Sequence, residues 1–414
     1  MYKRLVWMGF SFLLPLAIAL TSCSPAAEAL TDNQKLFNEV WRIVNRAYLD
    51  DSFNSQNWWL VRQGTKKSSL ATREQTYEAI DKMLDSLGDP YTRFLPPNEY
   101  KSLEISTSGD LTGVGLQIAM DGETGVLTAI APIAGSPASA AGLQPLDLIL
   151  KIDGVLTSSM TLEEAANRMR GPAGTLVTLT VEREGEAIFD VELVRDRITL
   201  NPVTAQLRVV EGQGNSLNIG YIRLSQFNAN ATQEVSDAID RLEEEGAGAY
   251  ILDLRNNPGG LLTAGIEIAR LWLDDGTIVY AVNRQGILDS FDATGSALTD
   301  DPLVVLVNQG TASASEILAG ALHDNHRALL VGEKTFGKGL IQSLFDLSDG
   351  SGLVVTIAKY ETPDRTDINK LGIQPDKIVP LNQITLDQLG TEADQQYQAA
   401  VELLTSDMML ADAA

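Results

Sequence analysis

The chain has 414 residues, 44% hydrophobic and 21% charged, which are the proportions of a globular, soluble protein with room for two or three domains. A formal net charge of −24 repels a phosphate backbone and excludes nucleic acid as a partner. One cysteine, Cys23, and two histidines, His323 and His326, exclude a disulfide framework, a thiol nucleophile and a cysteine metal site in the folded part, and leave little room for histidine chemistry.

Lys3 and Arg4 precede an apolar run from Leu5 to Leu20 that is short for a membrane span and contains Pro15, so residues 1–29 read as an export signal. Ala27-Glu28-Ala29 places small residues where a signal peptidase cuts, which would leave Leu30 as the N-terminus. Leu20-Thr21-Ser22-Cys23 offers the alternative of a lipoprotein box, with Cys23 acylated and the chain lipid-anchored or peripheral at a membrane. Residues 30–104 read as helical. Leu36, Phe37, Val40, Trp41, Val44 and Tyr48 recur on one helix face after Thr31 and Asp32. A second face (Tyr77, Ile80, Met83, Leu84, Leu87) follows a Thr72–Gln75 capping pattern and ends at Gly88 and Pro90. These faces imply packing and no chemistry.

Residues 105–196 change to short β-rich runs between Gly/Pro turns, at Leu116–Met120, Gly125–Ile130, Leu146–Ile152 and Leu176–Arg183, with one helix near Thr161–Arg170. That pattern predicts a compact binding module. Residues 197–380 read as α/β. Strands are expected at Tyr250–Leu254, Thr277–Val282, Leu303–Asn308, Ala328–Val331 and Leu353–Tyr360. Helices are expected from the Gly259-Gly260 turn to Leu273 and from Ser313 to Asn325. Residues 381–414 form a tail with a helical segment. No internal repeat is present.

Chemistry concentrates in three stretches. In Gly310-Thr311-Ala312-Ser313-Ala314-Ser315-Glu316 a strand ends and a helix begins, so Ser313 sits where free backbone N–H groups can stabilise an oxyanion. Ser313 with Glu316 is equally a capping box, and this stretch alone does not separate a cap from a nucleophile. His323 lies ten residues further along the same helix, about 15 Å at ~1.5 Å per residue, too far to act as its base. The two histidines suit the helix C-terminus, and without an HExxH pattern or a nearby cysteine they make a poor zinc site. In Gly332-Glu333-Lys334-Thr335-Phe336-Gly337-Lys338-Gly339 a lysine lies between glycines after an apolar strand. Desolvation there favours the neutral amine, which can accept a serine proton. A solvated surface lysine is the plainer reading. A phosphate loop fails because Gly339 stands where Ser or Thr is needed. In Asp253-Leu254-Arg255-Asn256-Asn257-Pro258-Gly259-Gly260 two glycines after a buried strand expose N–H groups, which suits an oxyanion donor or an ordinary strand-to-helix turn.

Taken in order, the three stretches resemble the C-terminal processing peptidases, or tail-specific proteases, down to the 25-residue spacing from Ser313 to Lys338. The resemblance implies Ser313 as nucleophile, Lys338 as base and Gln342 as its support. It implies oxyanion donors at Gly259 or Gly260 and Ala314, with Asp253, Arg255 and Glu316 bracing the site. It implies a crotonase-like (ClpP-like) ββα protease core at 197–380 with an inserted PDZ domain at 105–196, and needs no metal or other cofactor. Gly113-Val114-Gly115-Leu116 matches the PDZ carboxylate-binding loop, and Gly135–Leu143 followed by Asp147-Leu148-Ile149 matches the same domain. Protein substrates with a free C-terminal tail are the implied partners. Tyr48–Asn54, Gln56–Trp59 and Asp89–Leu95 resemble the members from oxygenic phototrophs, which trim the photosystem II core-protein precursor in the thylakoid lumen. A general tail-specific envelope protease, a PDZ scaffold or chaperone without catalysis, and a histidine-dependent hydrolase or metalloenzyme are the alternative functions.

Overall fold

The computed structural model describes residues 30–65, 70–121, 125–211, 216–380, 384–385 and 388–411. The export signal, with Cys23 and the Ala29 cleavage point, lies outside the described residues. No helix among the described residues is long and apolar enough to cross a membrane. The chain divides into two units, the first reaching Pro96 and including Leu344–Val355, the second comprising Pro97–Ser343 and Thr356–Ala414.

In the first unit, helix α1 (Asp32–Ala47) starts in a reciprocal capping box between Thr31 and Gln34. It buries Leu36, Phe37, Val40 and Val44, the apolar face read from the sequence. Helix α2 (Trp58–Thr65) places Trp58 in a ring stack with Phe53 at 5.2 Å. Helix α3 (Arg73–Asp85) is capped by Thr72, buries Ile80, Met83 and Leu84, and points Tyr77 Oη at Asp349 Oδ2, 2.9 Å away. Strand β1 (Arg93–Leu95) runs antiparallel to residues 352–354.

The second unit opens with helix α4 (Pro97–Ser108), which extends past the expected limit at 104. Its start carries Pro97, tolerated because that N–H has no helical partner, and its end is Gly109 at φ +72°. Having no buried residue, it gave no periodic signal. Then come β2 (Asp110–Gly113), β3 (Leu116–Met120), β4 (Leu127–Pro132), α5 (Pro137–Ala140), β5 (Leu148–Ile152), β6 (Val155–Leu156), α6 (Leu162–Met169), β7 (Leu176–Glu182), β8 (Phe189–Val194) and β9 (Asp196–Thr199). One sheet has the order β3-β4-β5-β7-β8, with β6 on β5, and β2 pairs with β9 apart from it. Its core of Leu127, Ile149, Ile152, Val177, Leu179 and Val181 takes alternate residues from the strands, as period-2 burial requires. Strand β3 is an edge with helix α6 against it, and Gly113-Val114-Gly115-Leu116 spans the turn leading into that edge.

The remaining elements, in chain order, are β10 (Val203–Glu211), β11 (Ser216–Leu224), α7 (Ala231–Glu244), β12 (Ala249–Asp253), α8 (Leu262–Arg270), β13 (Thr277–Asn283), β14 (Gly286–Asp292), β15 (Leu303–Val307), α9 (Ala314–Asp324), β16 (Ala328–Gly332), β17 (Leu340–Asp346), β18 (Gly352–Glu361), β19 (Lys377–Ile378) and α10 (Gln395–Ala411). The sheet β10-β11-β12-β15-β16-β19 is parallel from β11 onward. β12 and β15 are buried at every position because helices cover both faces. Tyr250, Leu252 and Val305 meet Val235, Ile239, Ile268 and Leu318 of α7, α8 and α9, while Ile251, Val304 and Leu306 meet Tyr397, Ala400 and Leu404 of α10. Each fully buried Leu, Ile or Val among them contributes about 1.5–3 kcal/mol.

This topology sets the site. β12, β15 and β16 are adjacent and parallel, with Asp253 paired to Leu306 and Val307 to Gly332. The three glycine-rich motifs therefore leave one sheet edge side by side at the carboxyl ends of the strands, where open α/β sheets bind ligands.

Candidate active site

Hydrogen bonds lock the three loops together. Thr311 Oγ1 donates to Leu254 O at 2.9 Å, and Asn256 N–H to Asn308 Oδ1 at 2.9 Å. Asn257, fully buried, receives Ala312 N–H at 3.0 Å and Ser315 Oγ at 2.9 Å on its carbonyl. Phe336 N–H donates to Thr311 O at 3.0 Å.

Glu316, with no exposed surface, is the hub of this cluster. Its Oε2 accepts the N–H groups of Ser313 (2.9 Å) and Lys338 (2.9 Å). Its Oε1 accepts Thr335 Oγ1 (2.5 Å) and Gly337 N–H (2.7 Å). One carboxylate thus fixes the backbone of Ser313 and the backbone of Lys338 at once. The second role of Glu316, tying down the lysine loop, was not visible from the capping pattern in the sequence. Thr335 also exchanges bonds with Ile373, which makes the lysine loop rigid on its far side. Lys338 itself is half-buried.

Ser313 is the N-cap of α9 and holds φ +59° and ψ −118°. A non-glycine residue in that region costs about 1–3 kcal/mol and persists only where its surroundings over-determine it. Gly259, at φ +95°, lies directly over this turn. A methyl group there would sit 2.7 Å from Ala312 O and 2.9 Å from both Ala314 N and Ser313 Cβ. Gly259→Ala is therefore expected to lose about 1–3 kcal/mol of stability and most of the activity, read as a lowered melting temperature and a fallen kcat. Wild-type values for both would show that the close approach is unimportant. The Gly259 N–H is taken by Asn257 Oδ1 at 2.9 Å.

Asp253 and Arg255 lie behind the Gly259 loop in a fully buried network. Arg255 forms bonds of 2.6–2.9 Å with Asp253 and of 2.7 and 2.9 Å with Asp394. Gln396 accepts from Arg255 at 3.1 Å, and Tyr221 Oη donates to Asp253 at 2.6 Å. Burial pulls the Arg255 pKa down, but the charges and hydrogen bonds of Asp253 and Asp394 outweigh it and hold the guanidinium above its usual range. Burial likewise opposes ionisation of Asp394, and the Arg255 hydrogen bond overcomes it, so that carboxyl titrates below its usual range. Gln342, on β17, keeps a buried Nε2 with no hydrogen-bond partner.

His323 is in the last turn of α9, at the opposite end from Ser313. Its Nδ1 is 2.8 Å from Asp324 and its Nε2 3.4 Å from Asp376. Burial lowers its pKa, but the two carboxylates more than compensate and raise it. Among the described residues no His/Cys/Asp/Glu group is arranged to hold a metal ion. Gly113 ends β2, Val114 and Gly115 form the turn and Leu116 begins β3, so this stretch is not part of the cluster. Sequence reasoning missed Thr335, Asn257, Tyr360 and Asp394 as parts of the site. The first two stood inside quoted motifs, and the last two lie in segments whose only local signal was strand or helix.

Comparison with known proteins gives the family. Residues 218–379 match the peptidase family S41 and residues 129–183 match the PDZ domain. A carboxyl-terminal-processing protease of Synechocystis is 57% identical over 99% of this chain and 95% of its own length. The chloroplastic carboxyl-terminal-processing peptidase 2 of Arabidopsis thaliana is 48% identical over 87% of this chain and 72% of its own. The solved structure of a photosystem II D1 C-terminal processing protease superposes with a TM-score of 0.58 at 42% identity, covering 88% of this chain and 99% of that one. With relatives this similar along nearly its whole length, the chain belongs to the carboxyl-terminal-processing proteases of peptidase family S41 and is a serine peptidase that carries a PDZ domain.

Proposed function

We propose that Ser313 is the nucleophile and Lys338 the general base of this peptidase, and that it removes a C-terminal extension from an exported protein. The observation that carries the assignment is the Glu316 carboxylate, which bonds the backbone of both residues from one buried point. In the cycle, the neutral Lys338 amine takes the Ser313 proton as the hydroxyl oxygen attacks the scissile carbonyl. The amine then protonates the leaving nitrogen, and water releases the acyl-enzyme by the reverse sequence. Ala314 N–H, at the head of α9, meets the developing oxyanion. The second donor comes from the Gly259-Gly260 pair. Because Asn257 Oδ1 holds Gly259 N–H, either Gly260 supplies that donor or the Gly259 peptide turns when substrate enters. The unpartnered Gln342 Nε2 suits a role beside the base or the substrate. We assign the tail's carboxylate to the Gly113-Val114-Gly115-Leu116 turn, with the peptide adding to the β3 edge.

The same reading takes residues 105–196 as the PDZ domain and 197–380 as a crotonase-like protease core, with 30–104 as an N-terminal helical region and 381–414 as a tail. It takes residues 1–29 as the export signal, with lipid attachment at Cys23 the route to membrane association. Two similarities support the photosystem II core-protein precursor as substrate and the thylakoid lumen as location: the D1-processing structure and the chloroplastic relatives. Mass spectrometry of a synthetic precursor tail incubated with wild-type chain and with Ser313→Ala tests the proposal. One cut near the C-terminus by wild type alone is expected. Tail binding by both with cleavage by neither would leave a PDZ scaffold.

A further inference from the structure

Tyr360 lies on β18, paired with Ala281 of β13, and its ring is almost wholly buried. Its Oη donates to the Ser313 carbonyl oxygen at 3.1 Å, and its backbone N–H donates to the Gly339 carbonyl at 3.0 Å. One residue therefore touches the backbone of the serine turn and of the lysine loop, as Glu316 also does.

The Ser313 carbonyl and the Ala314 N–H are the two ends of one planar trans peptide. Whatever fixes the oxygen fixes the direction of that N–H, which points the opposite way. The oxygen already receives Glu316 N–H at 2.8 Å and Ile317 N–H at 3.0 Å, both from the first turn of α9. The Tyr360 hydroxyl is a third donor from outside the helix, and it ties the peptide to the neighbouring sheet. Three donors on one carbonyl also polarise the peptide and strengthen its N–H as a donor. The strained dihedrals of Ser313 make external support of this plane necessary, since they are not what the chain adopts by itself.

We propose that Tyr360 is a positioning residue for the peptidase reaction, holding the Ser313–Ala314 peptide so that the Ala314 N–H stays aimed at the oxyanion. The inference rests on the assignment of Ser313 and Ala314 above. A group acting through an oxyanion donor affects the tetrahedral state and not the bound substrate. Tyr360→Phe removes only the hydroxyl. Its kcat on a tailed peptide should fall about tenfold, less than the 10²–10³-fold typical of deleting a donor outright, while KM stays within about twofold. A peptide aldehyde, which forms a tetrahedral adduct on the serine, should bind more weakly by a similar factor. A plain product peptide should bind as to wild type.

Wild-type kcat and aldehyde affinity in a folded Tyr360→Phe chain would overturn the inference and leave the Ser313 assignment standing, provided Ser313→Ala is inactive in the same assay. An active Ser313→Ala chain would remove both. If Tyr360→Phe fails to fold, 3,5-difluorotyrosine at position 360 carries the test. It keeps the ring, and its more acidic phenol gives up the donated hydrogen at alkaline pH. Turnover should then fall with rising pH more steeply than in wild type, and superimposable profiles would overturn the inference.

Discussion

Replacing Ser313 or Lys338 with alanine should lower kcat on a tailed substrate by about 10⁴-fold or more, and the double replacement should be no worse than the poorer single one. The non-additivity matters more than the size. A hydroxyl without a base and a base without a hydroxyl are equally incapable of the proton transfer, so the two losses are one loss counted twice. What survives in either variant is the oxyanion site and substrate binding, which can retain about 10³–10⁴ over water in serine peptidases of other folds. KM should move little, since neither side chain is needed to hold the tail. The geometry predicts one further distinction. Glu316→Gln keeps the size of the hub but replaces one of its acceptor oxygens with a donor, against four donors that now converge on the carboxylate. It should therefore lower activity and stability together, whereas Ser313→Ala should leave the melting temperature nearly unchanged. Single-turnover kinetics with the three single variants and the Ser313/Lys338 double variant decide the matter. Multiplicative losses from Ser313→Ala and Lys338→Ala would mean that the two residues do not act as a unit, and the pairing would fail.

The legible parts of this protein were those whose signal is local. The α1 face, the buried runs of β12 and β15, and the Ser313-to-Asn325 helix follow from periodicity, and they stand where expected to within a residue or two. Helix α7 carries the helical period at Ala231, Val235, Ala238, Ile239 and Leu242, but Asn230 at its start makes no side-chain cap bond and marks the boundary weakly. The three motifs were legible because each needs its glycines nearby. Their convergence was not, since it depends on β12, β15 and β16 being parallel neighbours. Asp394 could not have been found at all: it bonds Arg255 from 139 positions away, and nothing in Thr391–Gln396 distinguishes it from an ordinary helix start. The Gly259 N–H shows the opposite limit, where the motif suggests a free donor and the neighbouring Asn257 side chain has already taken it.

The network around Arg255 carries the largest expected effect on stability. Asp253 and Asp394 have no exposed surface, and Arg255 is the cation that bonds both. Arg255→Met keeps the bulk and leaves two carboxylates facing one another without water, which should cost about 3–5 kcal/mol. For a protein of this size that is a fall in melting temperature of about 4–6 °C. Because Asp253 precedes the Gly259 loop and Asp394 heads α10, activity should fall as well, with the loop losing its anchor to the C-terminal helix. The cost is that of unpaired charges and not the network's net worth, so removing both carboxylates as well should recover part of it. Asp253→Asn/Arg255→Met/Asp394→Asn should melt above Arg255→Met alone. The sign with pH follows from Asp394, whose carboxyl titrates below its usual value of 3.8 in the folded chain. Its stabilisation is complete above that value and is lost as pH falls toward the folded-state one. The wild-type melting temperature should thus drop more steeply below about pH 4 than that of Asp394→Asn. Scanning calorimetry from neutral to acid pH measures all of this. An Arg255→Met chain melting within a degree or two of wild type would show that the two carboxylates find another partner or shed their charge at no cost, and the proposed link between the C-terminal helix and the site would be lost with it.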